Sequence, residues 1–153
     1  MDDTLTKLDP RYRRVMMIQS GLFSLFLLGA GIIGDVIVDG LPPIFSIAAL
    51  VLAVLLTFVL PTRRYRARGY AMDEHRLRTV QGVWNHWDIV VPFTRVQHLD
   101  VHQGPVERAN GIATLVLHTA GTDNSSVTLP GLAYEDAIAM RDAIRDLVQA
   151  RSQ

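Results

Sequence analysis

VMMIQSGLFSLFLLGAGIIG, residues 15–34, and LPPIFSIAALVLAVLLTFVL, residues 41–60, are two uncharged runs of twenty residues in a chain of 153. Each matches the roughly 20 apolar residues that cross about 30 Å of hydrocarbon as a helix. Helical geometry is close to obligatory there, because an unpaired backbone N–H or C=O in lipid costs several kcal/mol and a helix pairs its own. The competing reading is two buried helices of a soluble domain. Helices apolar all round need wrapping on every side, and the rest of the chain is too short to do it. A cleaved signal peptide fits the first run poorly: the run is long for such a segment, no A-x-A-like site closes it, and a second run follows at once.

The flanks predict an orientation. Arg11, Arg13 and Arg14 precede the first run, Arg63, Arg64, Arg66 and Arg68 follow the second, and between the runs lie only Asp35 and Asp39. Basic residues accumulate on the cytoplasmic side, so the expectation is a cell-membrane protein with two spans and both termini cytoplasmic. The chain then divides into a polar cytoplasmic arm (1–14), disordered or interfacial, a transmembrane helical hairpin (15–62) and a cytoplasmic domain (63–153). Ser20 and Ser24, and Ala30 and Gly34, place small residues four apart, where a neighbouring helix approaches closely. Pro42 and Pro43 open the second helix, where a missing N–H is harmless. Neither run holds an ionisable residue, which speaks against transport through the hairpin itself.

Formal charge is zero, with fifteen basic and fifteen acidic residues. Residues 63–153 carry eleven basic and ten acidic groups, so no basic excess points to nucleic acid. The absence of cysteine excludes disulfides, thiolate catalysis and Cys-based zinc sites.

After Pro61 the period changes from helical to alternating. Residues 65–72 and 77–83 read as strands joined by the polar turn DEHR, 84–87 as a turn, and 88–93 as a short strand stopped by Pro92. Residues 95–104 alternate, PVERANG reads as a helical turn or loop, and 112–120 and 126–129 form a hairpin about the turn GTDN. From 133 to 151, Ala137, Met140, Ile144, Leu147 and Val148 fall at three- and four-residue steps and predict an amphipathic helix, with Glu135 and Asp136 in its first turn and Arg151 near its end, as the helix dipole favours. The fold class is therefore α+β: a two-helix transmembrane hairpin followed by a small β-barrel or orthogonal sandwich capped by a C-terminal helix. That is the architecture of a pleckstrin-homology (PH) domain.

Pro92, Arg95-Val96-Gln97, Gly104-Pro105 with Arg108, Gly111-Ile112-Ala113-Thr114-Leu115, Thr119-Ala120-Gly121 and Pro130-Gly131-Leu132 occur in this order behind the hairpin. In them the chain resembles the bacterial PH-like membrane proteins of the YdbS type, which put two spans ahead of a single PH-like domain. The resemblance implies a PH fold and no defined biochemical role, and its members often occur beside a longer relative with repeated PH-like units. In physical terms, Gly104-Pro105 and Gly111 are expected to bracket a sharp reversal, and Gly121 and Gly131 to serve at a hairpin and before the last helix, because glycine tolerates positive φ.

Candidate chemistry is sparse. His98, Asp100 and His102 share one face of a strand, but residues four apart there are separated by roughly 13 Å, too far for both histidines to bind one ion; at best His98 and Asp100 are joined by His118 from another strand. Ser125 and Ser126 lack a G-x-S-x-G setting, and there is neither a glycine-rich phosphate loop nor an acidic pair of recognisable spacing. The chain is read as a non-enzyme without cofactor or metal. Arg63, Arg64, Arg66 and Arg68 anchor the topology and are candidate contacts to anionic lipid, where each cation adds around 1 kcal/mol; in a strand Arg66 and Arg68 would point the same way. Trp84 and Trp87 flank a turn and suit a membrane interface, a protein partner or the core of a barrel end. Inositol phosphates fit poorly, since GTDN is acidic and DEHR mixed.

The function expected is a non-catalytic adapter or scaffold on the bilayer. Its exposed sheet edge or barrel end binds a protein partner, another membrane or PH-like protein or a second copy of the chain. The alternative is an anionic-lipid-sensing module.

Overall fold

Residues 5–38, 42–120 and 126–151 are described by the computed structural model. Helix α1 spans Pro10–Ile37. Asp9 caps it, its carboxylate accepting the Arg11 N–H at 2.8 Å, and Pro10 occupies the first turn, where its missing N–H has no partner to lose. The second apolar helix, Ile44–Arg66, consists of α2 (Ile44–Val54), a π-helical turn (Leu55–Val59) and α3 (Leu60–Arg66). Both helices are long and apolar enough to cross a membrane, and only 17% and 11% of their most apolar windows are buried. Phe23, Phe26, Val36, Val51 and Phe58 are exposed along them, an apolar surface far larger than a soluble monomer leaves to water.

The two helices pack antiparallel through small and polar groups. A Cβ on Gly31 would lie 2.8 Å from the Ala49 Cβ and 2.9 Å from the Phe45 carbonyl oxygen, so the backbones meet there. Gly34 faces the Phe45 side chain and Ser24 is buried, as their spacing predicts, whereas Ala30 is exposed and the closest approach passes to Gly31. Ser24 Oγ lies 2.9 Å from Thr57 Oγ1 and 3.4 Å from the Ala53 carbonyl oxygen. Asp35, at the end of α1, accepts the Phe45 and Ser46 N–H groups at 3.0 Å each and the Ser46 hydroxyl, capping α2 across the connector. Asp39 and Leu41 lie outside the described residues.

The π turn has a local cause. Pro61 has no N–H to donate and its ring crowds the carbonyl four residues back; the preceding turn widens, and the Leu60 N–H bonds the Leu55 carbonyl. The helix therefore continues through Arg66, and the strand expected from residue 65 begins only at Gly69.

Two three-stranded antiparallel sheets follow: β1 (Gly69–Met72), β2 (Arg76–Gln81) and β3 (Trp87–Pro92), then β4 (Val96–His102), β5 (Ile112–Thr119) and β6 (Ser126–Ala133). A single 3₁₀ turn, Phe93–Arg95, joins the sheets, and α4 (Pro105–Ala109) bridges β4 to β5. Helix α5 (Tyr134–Arg151) packs on the second sheet with Ala137 and Ile144 fully buried and Met140, Leu147 and Val148 partly so. The α+β class and the helical cap follow the sequence expectation. Gly111 and Gly131 have positive φ, +65° and +75°; Gly104 does not, its φ of −73° being that of an ordinary helix cap. The turn expected at 121–124 and Ser125 lie outside the described residues.

The expected boundaries need correction. Leu8, Tyr12, Val15 and Met16 are buried in the same core as Leu77, Phe93, Ile112, Leu115 and Ile144. Thr6 pairs with Tyr70 on the outer edge of β1, and the Asp9 N–H donates to the Gly131 carbonyl at 2.8 Å. From Leu5 onward the arm is thus part of the domain, and Val15 and Met16, the first two residues of the expected span, join it there. The physical reason is the spacing 8, 12, 15, 16, an apolar stripe at i, i+4, i+7 and i+8 that Arg11, Arg13 and Arg14 interrupt in sequence but not in space.

Candidate functional site

The end of the second apolar helix and the β2–β3 loop build one site between them. Arg63, Arg64 and Arg66 occupy the last turn of α3, where cations complement the helix dipole. Because this segment is helical, Arg66 and Arg68 do not form the one-sided strand pair their alternation suggests. Arg68 follows the turn at Ala67, donates from Nη1 to the Tyr12 hydroxyl at 2.7 Å and stands 5.8 Å from that ring's centroid. Arg66 accepts at its carbonyl from Lys7 Nζ at 3.3 Å. Among the described residues no carboxylate pairs with Arg63 or Arg64.

The β2–β3 loop is a tight turn. Gly82 has φ +122°, and a Cβ there would fall 1.7 Å from the Asn85 carbonyl oxygen, so only glycine closes it. The turn thrusts Trp84 outward at 86% exposure and leaves Trp87 at 56%, which removes both from the core. Two clefts meet at this loop. One, about 480 Å³, is lined by Arg64, Arg68, Gln81, Asn85 and Trp87; the other, about 170 Å³, by Leu55, Leu56, Val59, Leu60 and Arg63; Val83 and Trp84 belong to both. Of the six candidate residues the fold thus brings together Arg63, Arg64, Arg68, Trp84 and Trp87. Arg66 points elsewhere on its helix and lines neither cleft.

Next to Trp87, Asp88 is held by Arg78 on β2, with Nη2–Oδ2 at 2.6 Å. The hydrogen bonds from that guanidinium keep the Asp88 carboxyl below the usual carboxylate range. Asp73, in the β1–β2 turn, is lowered by the backbone N–H of His75 and then by the Arg76 side chain.

Two other places were missed or left open by the sequence. The β4–β5 register sets His98 opposite His118, and Asp100 lies between them: Oδ1 is 3.0 Å from His98 Nε2 and Oδ2 is 3.2 Å from His118 Nε2. The imidazole nitrogens face the carboxylate rather than a common point, His102 stands apart, and among the described residues no group of three has an arrangement to hold an ion. The second place is a groove of about 290 Å³ between β4 and α5, lined by Val96, Gln97, His98, Leu99, Arg145 and Val148. Among the described residues no strand pairs with the outer edge of β4. Its sequence signal is weak, since Arg145 lies beside the buried stripe of α5 and reads as an ordinary solvated charge.

A family model for the bacterial PH domain matches residues 14–148. The chain belongs to the bacterial PH domain family. The match reaches back through both apolar helices, consistent with a core that α1 helps to build. The transmembrane protein YdbS (UPF0699) of Bacillus subtilis strain 168 is 32% identical over 97 residues, 63% of this chain and 59% of that protein. This bacterial PH domain protein therefore spans less than two thirds of that relative's length. A crystal structure of a DUF1696 family protein with a pleckstrin-homology domain, from Shewanella loihica PV-4, covers 56% of the chain and 74% of its own at 18% identity and a TM-score of 0.42. The transmembrane relative and the two poorly buried apolar helices together support membrane localisation.

Proposed function

We propose that this protein is a membrane-anchored, non-catalytic adapter that crosses the bilayer twice, keeps both termini cytoplasmic and captures an extended segment of a protein partner along the outer edge of β4. The observation that carries this reading is the outer edge of β4, on which no strand pairs among the described residues, with a groove behind it against α5. A strand added to such an edge gains main-chain hydrogen bonds, while the groove, with Arg145 and Val148 on its far wall, selects one of its side chains. The mounting also supports it: Leu8, Tyr12, Val15 and Met16 build the end of α1 into the domain core, so the edge is presented at a fixed position relative to the membrane helix. Arginines on the outer flanks of both apolar helices and acids between them favour the cytoplasmic orientation.

The test places a photo-crosslinking residue at Gln97 of the full chain in native membranes, with Arg108 on α4 as the control position. The expected result is one protein adduct of defined mass from position 97, absent from 108 and lost on Arg145→Glu while membrane insertion is unchanged. Equal adducts from both positions, or none from 97, refute the reading. An adduct with a second copy would identify the partner as this chain itself.

A further inference from the structure

We propose that the paired clefts at the membrane exit form a binding site for one anionic phospholipid of the surrounding bilayer, its phosphate held by Arg63, Arg64 and Arg68 and one acyl chain laid against the π turn. This face is separate from the β4–α5 groove, and the proposal stands independently of the partner reading.

The shape of the site is amphiphilic. The smaller cleft is walled by Leu55, Leu56, Val59 and Leu60, which belong to the apolar helix itself, so its floor is continuous with the hydrocarbon layer. The larger cleft carries Arg64, Arg68, Gln81 and Asn85, all hydrogen-bond donors, and among the described residues neither cleft is lined by an acidic side chain. Arg63 stands on the apolar side, at the level where a phosphate joins its acyl chains. A soluble phosphate would use only the polar half and leave the apolar half in water; a bilayer phospholipid fills both and reaches the site by lateral diffusion.

Three features make this a built site rather than a scatter of anchoring cations. The π turn, forced by Pro61, widens the helix where the chain would lie; such turns recur at functional positions. Gly82 fixes the loop so that Trp84 forms a wall common to both clefts, an indole at the height where amphipathic rings favour the headgroup boundary. Arg68 is pre-oriented: the Tyr12 hydroxyl occupies Nη1 and leaves the other guanidinium donors available. A guanidinium so fixed loses less freedom when it meets a phosphate.

The experiment uses the full chain in nanodiscs, in a Trp87→Phe background so that emission reports Trp84. Brominated phosphatidylglycerol is expected to quench Trp84 at several-fold lower mole fraction than brominated phosphatidylcholine. Arg63→Gln and Arg64→Gln should each reduce that preference by about five-fold, the equivalent of about 1 kcal/mol per cation. Arg66→Gln, next to the site but outside both clefts, should leave it unchanged. Native mass spectrometry in mild detergent should show one retained phosphatidylglycerol per chain, lost on Trp84→Ala. Equal quenching by the two lipids, or an Arg66→Gln effect as large as that of Arg64→Gln, would reduce the site to general surface charge and overturn the proposal. Displacement of the retained lipid by millimolar glycerol phosphate would also overturn it, since the ligand would then be a soluble phosphate.

Discussion

Residues 63–153, expressed alone, should not fold, although by sequence they form a complete small domain. The core they would need contains Leu8, Tyr12, Val15 and Met16, all less than 9% exposed. Burying side chains of this size contributes about 1.5–3 kcal/mol each, so removing the four forfeits roughly 6–12 kcal/mol, an upper range because unfolded chains already bury some surface. Whole domains are stable by only about 5–15 kcal/mol. The loss is compounded at the backbone, where β1 gives up its Thr6 partner and Gly131 its bond from Asp9. The assay compares the amide dispersion and urea unfolding of the fragment with those of the full chain in nanodiscs. In the full chain, Leu8→Ala and Tyr12→Ala should each cost about 2–5 kcal/mol. A fragment 63–153 that gives a dispersed spectrum and a cooperative transition would refute the reasoning, because it would show that the arm decorates the core without completing it.

Gly131→Ala should destabilise the protein strongly, since its φ of +75° disfavours a side chain and the new Cβ would lie 2.5 Å from Tyr12 Cγ; Gly29→Ala, with nothing within 4 Å, should be close to neutral in the same thermal melt. Ser24→Ala should cost about 0.6 kcal/mol, the usual worth of a polar contact between membrane helices, and Gly31→Val considerably more; cysteine pairs introduced at Gly21 and Thr57 should report the separation of the helices as slower disulfide formation. Asp73 and Asp88 have depressed folded-state pKa values, so what they contribute is present above the unfolded carboxylate value of about 3.9 and is lost as pH falls through the lower, folded one. Acid titration of stability should therefore show a fall below about pH 4 that Asp88→Asn makes shallower.

The sequence by itself determined the two long apolar helices, because a run of uncharged residues is a local property and length alone decides whether a helix can cross hydrocarbon. It also determined most strands and the terminal helix, since alternation in β5 and the 137, 140, 144, 147, 148 stripe in α5 each express one buried face. The arginines and tryptophans were legible as candidates for the same reason, standing out against an apolar span and an otherwise neutral domain. Only the tertiary structure decided which of them meet: the clefts join residues 55–68 to residues 81–87 through the tight Gly82 turn, and no spacing rule connects a helix end to a hairpin loop. It alone placed Tyr12 against Gly131, more than a hundred positions away, and Leu8 in the same core. Their stripe was present in the sequence, yet the three arginines beside it gave it the average polarity of a loose arm. Whether an apolar stripe is buried depends on what the rest of the chain sets opposite it.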